Sequence, residues 1–402
     1  MSTKQTNTYV FYGFPSSLYS AKVRSYLIKQ QIDFVERTCG DPRYLQGVVP
    51  QIGRVIAPVL ETPDGELVQD TTYIIDFLEE RETPRHPAYP TTPRQLAVSH
   101  ALNLFGSEGL LRPAMHYRWN VDGGNSEFIE GEFKRTLATG MPPEMQAEVF
   151  RYFAGAMRAQ MAQSGCAPTD GPRIEAVYKE FLELLDTHLQ SSPYLLGGVP
   201  TIADYALIGP LRAHLGRDPM PSQLMKTTAP WVYRWVERMY MPSHDAGEYL
   251  DYPEELFAGD AIPPTLQALL KFAGEETTAE TVAQVAFLDD WLAEHPEISE
   301  GDVLQYEMDA RFIGTVTTPY RGGTLETGVL PYRLLQVQRL QDAVEAIDPA
   351  RAAEVREEFG EWGLAPLLEA RPRRRMEREA NREVWGGEQE AWVPGGVAGL
   401  AV

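Results

Sequence analysis

The sequence runs to 402 residues with 43% hydrophobic and 23% charged side chains, a globular composition that excludes disorder along the whole chain. Lys and Arg number 36 against 57 Asp and Glu, a formal net charge of −21 that repels nucleic acid and anionic membrane but leaves room for a local positive pocket. The two cysteines, Cys39 and Cys166, lack CxxC spacing, which excludes a disulfide framework and reads as two buried or incidental thiols in a reducing, cytoplasmic setting.

Met1–Thr8 is polar, with no apolar core and no twin arginine, so no secretion signal is expected. No apolar run reaches about 18 residues, so no membrane-spanning helix is expected. Tyr9–Gly13 (YVFYG) reads as a buried strand, and Val23, Tyr26 and Leu27 mark a short amphipathic helix starting near Ser20. Asp33–Thr38 reads as a second strand and Asp41–Gly53 as irregular chain. Ile56–Glu61, the turn Thr62–Gly65 (TPDG) and Leu67–Val68 form a hairpin, and Thr72–Arg81 a helix. The Pro-rich stretch Thr83–Pro93 is a linker.

Beyond it the pattern is helical, over Gln95–Trp119, Glu144–Gln163, Arg173–Gln190, Ile202–Leu215 and Pro230–Tyr240, with Pro113 expected to kink the first of these. In the last third, Leu266–Phe272, Ala279–Ala293, Leu334–Ile347 and Ala350–Phe359 read as helices, and Phe312–Pro331 as a hairpin turning at Arg321-Gly322-Gly323. Arg371–Trp385 is charged and reads as a solvated helix face or an internal clamp to acidic surface, followed by a loose tail from Gly386.

Four features carry chemistry. Ser16-Ser17 leads into a helix, where a hydroxyl caps backbone N–H groups and, in the same geometry, can stabilise a bound thiolate. Ala57-Pro58 is a candidate cis peptide. Gln69-Asp70-Thr71 stands before a helix, suited either to capping or to holding the charged end of a ligand. Thr201-Ile202-Ala203-Asp204 is a capping-box variant and reads as structural. The seven histidines show no HxxxH or HExxH spacing, so no metal is expected. GxSxG is absent, which argues against a hydrolase triad.

In order and spacing, this set resembles the cytosolic glutathione S-transferase family, serine type, over residues 9–242. The resemblance implies α/β plus all-α architecture: a thioredoxin-like glutathione-binding domain over 1–82, an all-helical domain over 94–242, and a mostly helical extension over 254–402. It implies a transferase adding or exchanging the glutathione thiolate on a small electrophile in detoxification, acting as a homodimer without nucleic acid or membrane. A non-catalytic binding module of the same fold, or a glutathione-dependent lyase or isomerase, are the alternatives. By position, Ser17 matches the serine that bonds the glutathione sulfur, with Tyr12 as a second candidate. Ala57, before Pro58, matches the residue whose backbone pairs with the cysteinyl unit. Asp70 and Thr71 match the Glu-Ser pair at the γ-glutamyl end, and Arg54 the basic residue near the glycyl carboxylate. Leu111, Met115, His116 and Trp119 would line the electrophile's side. Their ordinary reading is the core face of a helix, and that of Tyr12 a core aromatic.

Overall fold

The computed structural model describes residues 8–121, 125–304 and 312–392. The polar start at Met1–Asn7 and most of the expected tail, 393–402, lie outside the described residues.

The first unit runs β1 (Tyr9–Tyr12), α1 (Leu18–Lys29), β2 (Phe34–Arg37), α2 (Val49–Ile52), β3 (Val59–Glu61), β4 (Leu67–Gln69) and α3 (Thr71–Arg81). Its sheet has the order β2-β1-β3-β4, with β1 and β2 parallel and β3 antiparallel to both its neighbours. This is the expected thioredoxin-like arrangement. Asp41–Gly53 is not irregular: the Asp41 carboxylate accepts from the Arg43 N–H at 2.8 Å, a wide turn at Tyr44–Val48 feeds α2, and Gly53 ends it at φ 81°.

The helical unit comprises α4 (Pro93–Leu104), α5 (Leu111–Trp119), α6 (Asn125–Leu137), α7 (Pro143–Ala159), α8 (Gly171–Leu189), α9 (Ile202–Pro210), α10 (Pro219–Thr228) and α11 (Pro230–Arg238). The expected long first helix breaks at Phe105–Gly109, not at Pro113. Pro113 falls in the first turn of α5, where its missing N–H costs nothing. Gly106 sits at the break because a Cβ there would lie 2.8 Å from the Ala206 backbone. Sequence reading missed α6 and α10, although Ile129, Phe133 and Leu137 recur at helical spacing.

The extension holds α12 (Pro264–Glu294), the hairpin β5 (Thr315–Tyr320) and β6 (Gly323–Gly328), α13 (Arg333–Glu345), α14 (Pro349–Glu361), α15 (Ala365–Glu369) and the hairpin β7 (Arg374–Glu379) and β8 (Arg382–Glu388). Where two helices were expected, α12 is one of 31 residues. Gly274 interrupts its apolar pattern because the Trp362 carbonyl oxygen would stand 2.2 Å from a Cβ. The first hairpin turns as expected, with Arg321 and Gly322 both at positive φ (46° and 77°). The basic run is a hairpin, not a helix face, and Gly386–Glu388 belong to β8 rather than to the tail. Its arginines do clamp acidic groups: Arg373 on Asp289 and Arg375 on Asp342.

The extension shares the main core with the preceding units. Phe105, Phe181 and Phe272, from three different parts of the chain, pack with ring centroids 5.6–5.9 Å apart. All three are at most 3% exposed, and each such ring is worth about 1.5–3 kcal/mol of burial. Arg94 pairs with Glu358, Asn103 donates its side-chain amide to Gln336 Oε1 at 2.6 Å, and Arg339 grips Asp76 of α3 at 2.8 and 2.9 Å. The faces of α3, β4 and α4 are thereby covered by the chain's own extension.

Candidate functional site

Ser17 is the N-cap of α1, at φ −92° and ψ 120°, and its Oγ accepts from the Ser20 N–H at 3.2 Å. A hydroxyl that accepts in the cap keeps its own proton for donation outward. Beside it, the Ser16 Oγ is buried without a partner in the protein. Arg118 of α5 holds this loop: Nη1 donates to the Ser16 carbonyl at 2.6 Å, Nη2 to the Ala213 carbonyl at 2.7 Å, and the guanidinium grips Asp218 at 2.7 and 2.8 Å. The start of α1 is thus fixed by the helical unit, and Ser17 itself is 8% exposed.

The Ala57–Pro58 bond is cis. The sheet ladder begins one residue later, with Val59 opposite Tyr12 and Gln69, so the Ala57 amide and carbonyl stand outside it. Asp70 takes φ 85°, a strained value for a residue with a Cβ, and caps α3 by accepting from the Thr72 and Tyr73 N–H groups at 3.0 and 3.4 Å. Thr71 opens α3 and is buried. Beneath it the buried Lys22 reaches Thr72 Oγ1 and Asn103 Oδ1 at 3.1 and 2.7 Å, and burial pulls its ammonium down to about 8.

The extension engages this edge at Arg54, Leu67, Gln69 and Asp70. The Tyr332 hydroxyl donates to Asp70 Oδ2 at 2.6 Å, and burial together with that carboxylate keeps the phenol protonated. Arg378 donates to the carbonyl and to Oε1 of Gln69 at 3.1 and 2.6 Å. Asn381 accepts from the Gln69 N–H at 2.8 Å and donates to the Leu67 carbonyl at 2.9 Å, closing the exposed edge of β4 as a strand residue would. Arg54 donates to Gln69 Oε1 at 3.1 Å and pairs with Glu383 at 3.0 Å.

The apolar wall is shared between units. Leu111, Met115 and Trp119 fall in one cluster with Tyr12, Ile56, Ala57 and Phe14, covered by Phe150, Phe153 and Met157 of α7. Tyr12 donates its hydroxyl to Glu61 at 2.8 Å, and burial holds the phenol protonated. His116 turns the other way, 3.4 Å from Glu175 of α8, and burial lowers its pKa. The structure therefore gathers Ala57, Leu111, Met115 and Trp119 in one apolar cluster, sets Arg54 and Asp70 along an edge held by the extension with Thr71 buried beside them, and points His116 elsewhere. Sequence reading gave no role in this site to Arg118, Tyr332, Arg378 or Asn381, and no local pattern marks them, because the contacts join residues 95 or more positions apart.

A thioredoxin-like sheet joined to a helical unit, with a serine hydroxyl capping α1, defines the architectural class. Residues 11–86 match the glutathione S-transferase N-terminal domain and residues 146–238 the glutathione S-transferase C-terminal domain. Over these two stretches the chain is similar to the glutathione S-transferase family. Solved structures similar to it include a glutathione S-transferase from Rhodospirillum rubrum F11 (14% identity, covering 65% of this chain and 99% of that one, TM-score 0.36). They also include the beta-etherase LigF from Sphingobium sp. strain SYK-6 (18%, 60% and 98%, TM-score 0.41) and Gtt2 from Saccharomyces cerevisiae (19%, 60% and 99%, TM-score 0.37). No curated protein matches the chain.

Proposed function

We propose that this protein is a glutathione-dependent transferase that activates the glutathione thiol at the start of α1. The observation that carries the reading is the pair of hydroxyls there: Ser17 in the cap with its proton to give, and the buried Ser16 Oγ without a partner. A helix N-terminus with an O–H donor favours thiolate over thiol. The thiolate sulfur would attack the electrophilic carbon of a second substrate on the Leu111, Met115 and Trp119 side. The C–S bond forms as the leaving group departs with its electron pair, and the thiol proton passes to solvent. Asp70, Thr71 and Arg54 would take the charged ends of the tripeptide. Replacing Ser17 by alanine is expected to lower turnover of 1-chloro-2,4-dinitrobenzene with glutathione about tenfold or more, the weight of one hydrogen bond to a charged sulfur. Unchanged turnover removes Ser17 from the role.

A second reading, a non-catalytic binding module, is favoured by the extension's hold on Asp70, Gln69 and Arg54. Calorimetry with glutathione separates the two: the transferase reading expects binding that Asp70→Ala weakens, and the module reading expects none. Because Tyr332 competes for Asp70 Oδ2, Tyr332→Phe is expected to tighten glutathione binding several-fold; weaker binding would make Tyr332 a ligand rather than a competitor. A second copy of the chain, as in a homodimer, would have to dock away from the parts of α3, β4 and α4 that the extension covers.

A further inference from the structure

A cavity lies where the extension meets the start of α1. Its walls are Tyr19 of α1, Glu108 and Arg112 at the head of α5, Ser164 after α7, and Glu280 and Arg333 of the extension. Its enclosed part is about 30 Å³, room for roughly two waters, and it opens into about 430 Å³ of space counted with solvent. Tyr19 stands two residues beyond Ser17 on the same helix, and Arg333 follows the Tyr332 that reaches Asp70.

Arg112 Nε, Arg333 Nε and Ser164 Oγ in these walls are buried with no hydrogen-bond partner in the protein. Arg112 and Arg333 are 3% and 7% exposed, so bulk water does not compensate them. Their other nitrogens are committed, Arg112 Nη2 and Arg333 Nη2 to the two oxygens of Glu280 at 2.8 and 2.9 Å. Burial alone would raise the Glu280 carboxyl, but the two guanidiniums outweigh it and hold the group ionised. Arg112, Arg333 and Ser164 thus offer the cavity two N–H donors and a hydroxyl. The charges around it cancel, Arg112 and Arg333 against Glu108 and Glu280. Surplus donors call for an acceptor, and balanced charge disfavours an anion, whose desolvation nothing would offset.

We propose that this cavity binds the oxygen head of a small uncharged carbonyl compound, with Arg112, Arg333 and Ser164 as donors. The site deepens the transferase reading, on which it rests for its chemistry: it names the polar head of the second substrate and makes the extension part of the acceptor pocket. Binding itself can be tested without turnover. The probes are 2-butanone and its anionic counterpart propionate, followed by ligand-observed NMR on the full chain. The variants are Ser164→Ala, which removes one donor, and Ser164→Leu, which fills the cavity. Millimolar saturable binding of 2-butanone, weakened several-fold by Ser164→Ala and abolished by Ser164→Leu at unchanged melting temperature, is the expected result. Equal binding to wild type and Ser164→Leu, or no binding at all, overturns the proposal and leaves a cavity that holds ordered water. Propionate binding as tightly as 2-butanone overturns the uncharged class. Glutathione calorimetry on the same samples keeps the two readings apart: ketone binding without glutathione binding sinks the transferase and leaves this site standing, and the converse sinks only this site.

Discussion

Arg118→Ala should lower the free energy of unfolding by about 3–5 kcal/mol, the usual consequence of stripping one partner from a buried ion pair. Arg118 and Asp218 have side chains only 2% and 1% exposed, and the pair is bidentate. Truncation leaves the Asp218 carboxylate buried without its counter-charge and orphans two buried carbonyls, those of Ser16 and Ala213. Lysine is not expected to rescue, because a single ammonium cannot span a carboxylate and two diverging carbonyls as the planar fork does. Urea unfolding of wild type, Arg118→Ala and Arg118→Lys measures the loss directly, and a loss below about 1 kcal/mol would contradict the assignment. The second consequence is local. Arg118 holds the carbonyl just before Ser17, so its removal should loosen the cap of α1 and lower any thiol activation there, in parallel with stability. Asp218→Asn, which keeps the shape but weakens the grip, should fall between wild type and Arg118→Ala on both scales.

The first unit was legible in the sequence because its signals are local. An aromatic strand ending on Gly13, the TPDG turn and the hydroxyls before α1 and α3 each act within a few residues, and the structure reproduces strand order, hairpin and caps. The capping box at Thr201 and Asp204 forms for the same reason. Errors arose where distant chain decided the outcome. The stretch between Leu266–Phe272 and Ala279–Ala293 was not read as helix, yet α12 continues through it, with Gly274 where the Trp362 backbone needs the space. The run Arg371–Trp385 alternates charge without apolar periodicity, and it becomes a hairpin because Met376, Val384 and Trp385 find a core supplied by other elements. The site shows the same division. Ser17, Ala57 and Asp70 could be placed from short motifs, whereas Tyr332, Arg378 and Asn381 act on Asp70 and Gln69 from more than 250 residues away. Nothing in their own surroundings announces a target, so the sequence could pose the question of whether the extension touches the cleft but not answer it.

Acidification below pH 6.5 should destabilise the protein steeply, through histidines buried in the neutral form. Burial lowers His188 to about 4 and His100 to about 3, the latter helped by the positive charges of Arg339 and Lys22. Burial also drives His214 well down, with Arg118 adding to it. For a base whose pKa is depressed on folding, the unfolded chain takes up the proton first. Stability is complete above the unfolded value near 6.5 and is lost as pH falls toward the folded value. At about 1.4 kcal/mol per pH unit, His188 alone costs about 3 kcal/mol by pH 4. Asp204 works in the opposite sense: burial raises its carboxyl to about 6, so the folded chain gains a proton first between about 6 and 4. Burial also raises Glu79 and lowers His86, His116 and His244, so the depressed imidazoles outnumber the raised carboxyls and leave a net loss. Denaturant midpoints at pH 7.5, 6.0 and 4.5 test this, and a flat or rising profile sinks it. His188→Gln isolates one contribution, since a glutamine there can still donate toward the Leu195 carbonyl, now held by Nε2 at 3.0 Å, without titrating. Its profile should be shallower than wild type between pH 6.5 and 4. Arg118→Ala should also flatten the profile, for a different reason: with the neighbouring guanidinium gone, His214 recovers part of its basicity in the folded state and takes up its proton nearer the unfolded value. A variant that is less stable at neutral pH yet less sensitive to acid is the outcome that a purely mechanical role for Arg118 would not produce.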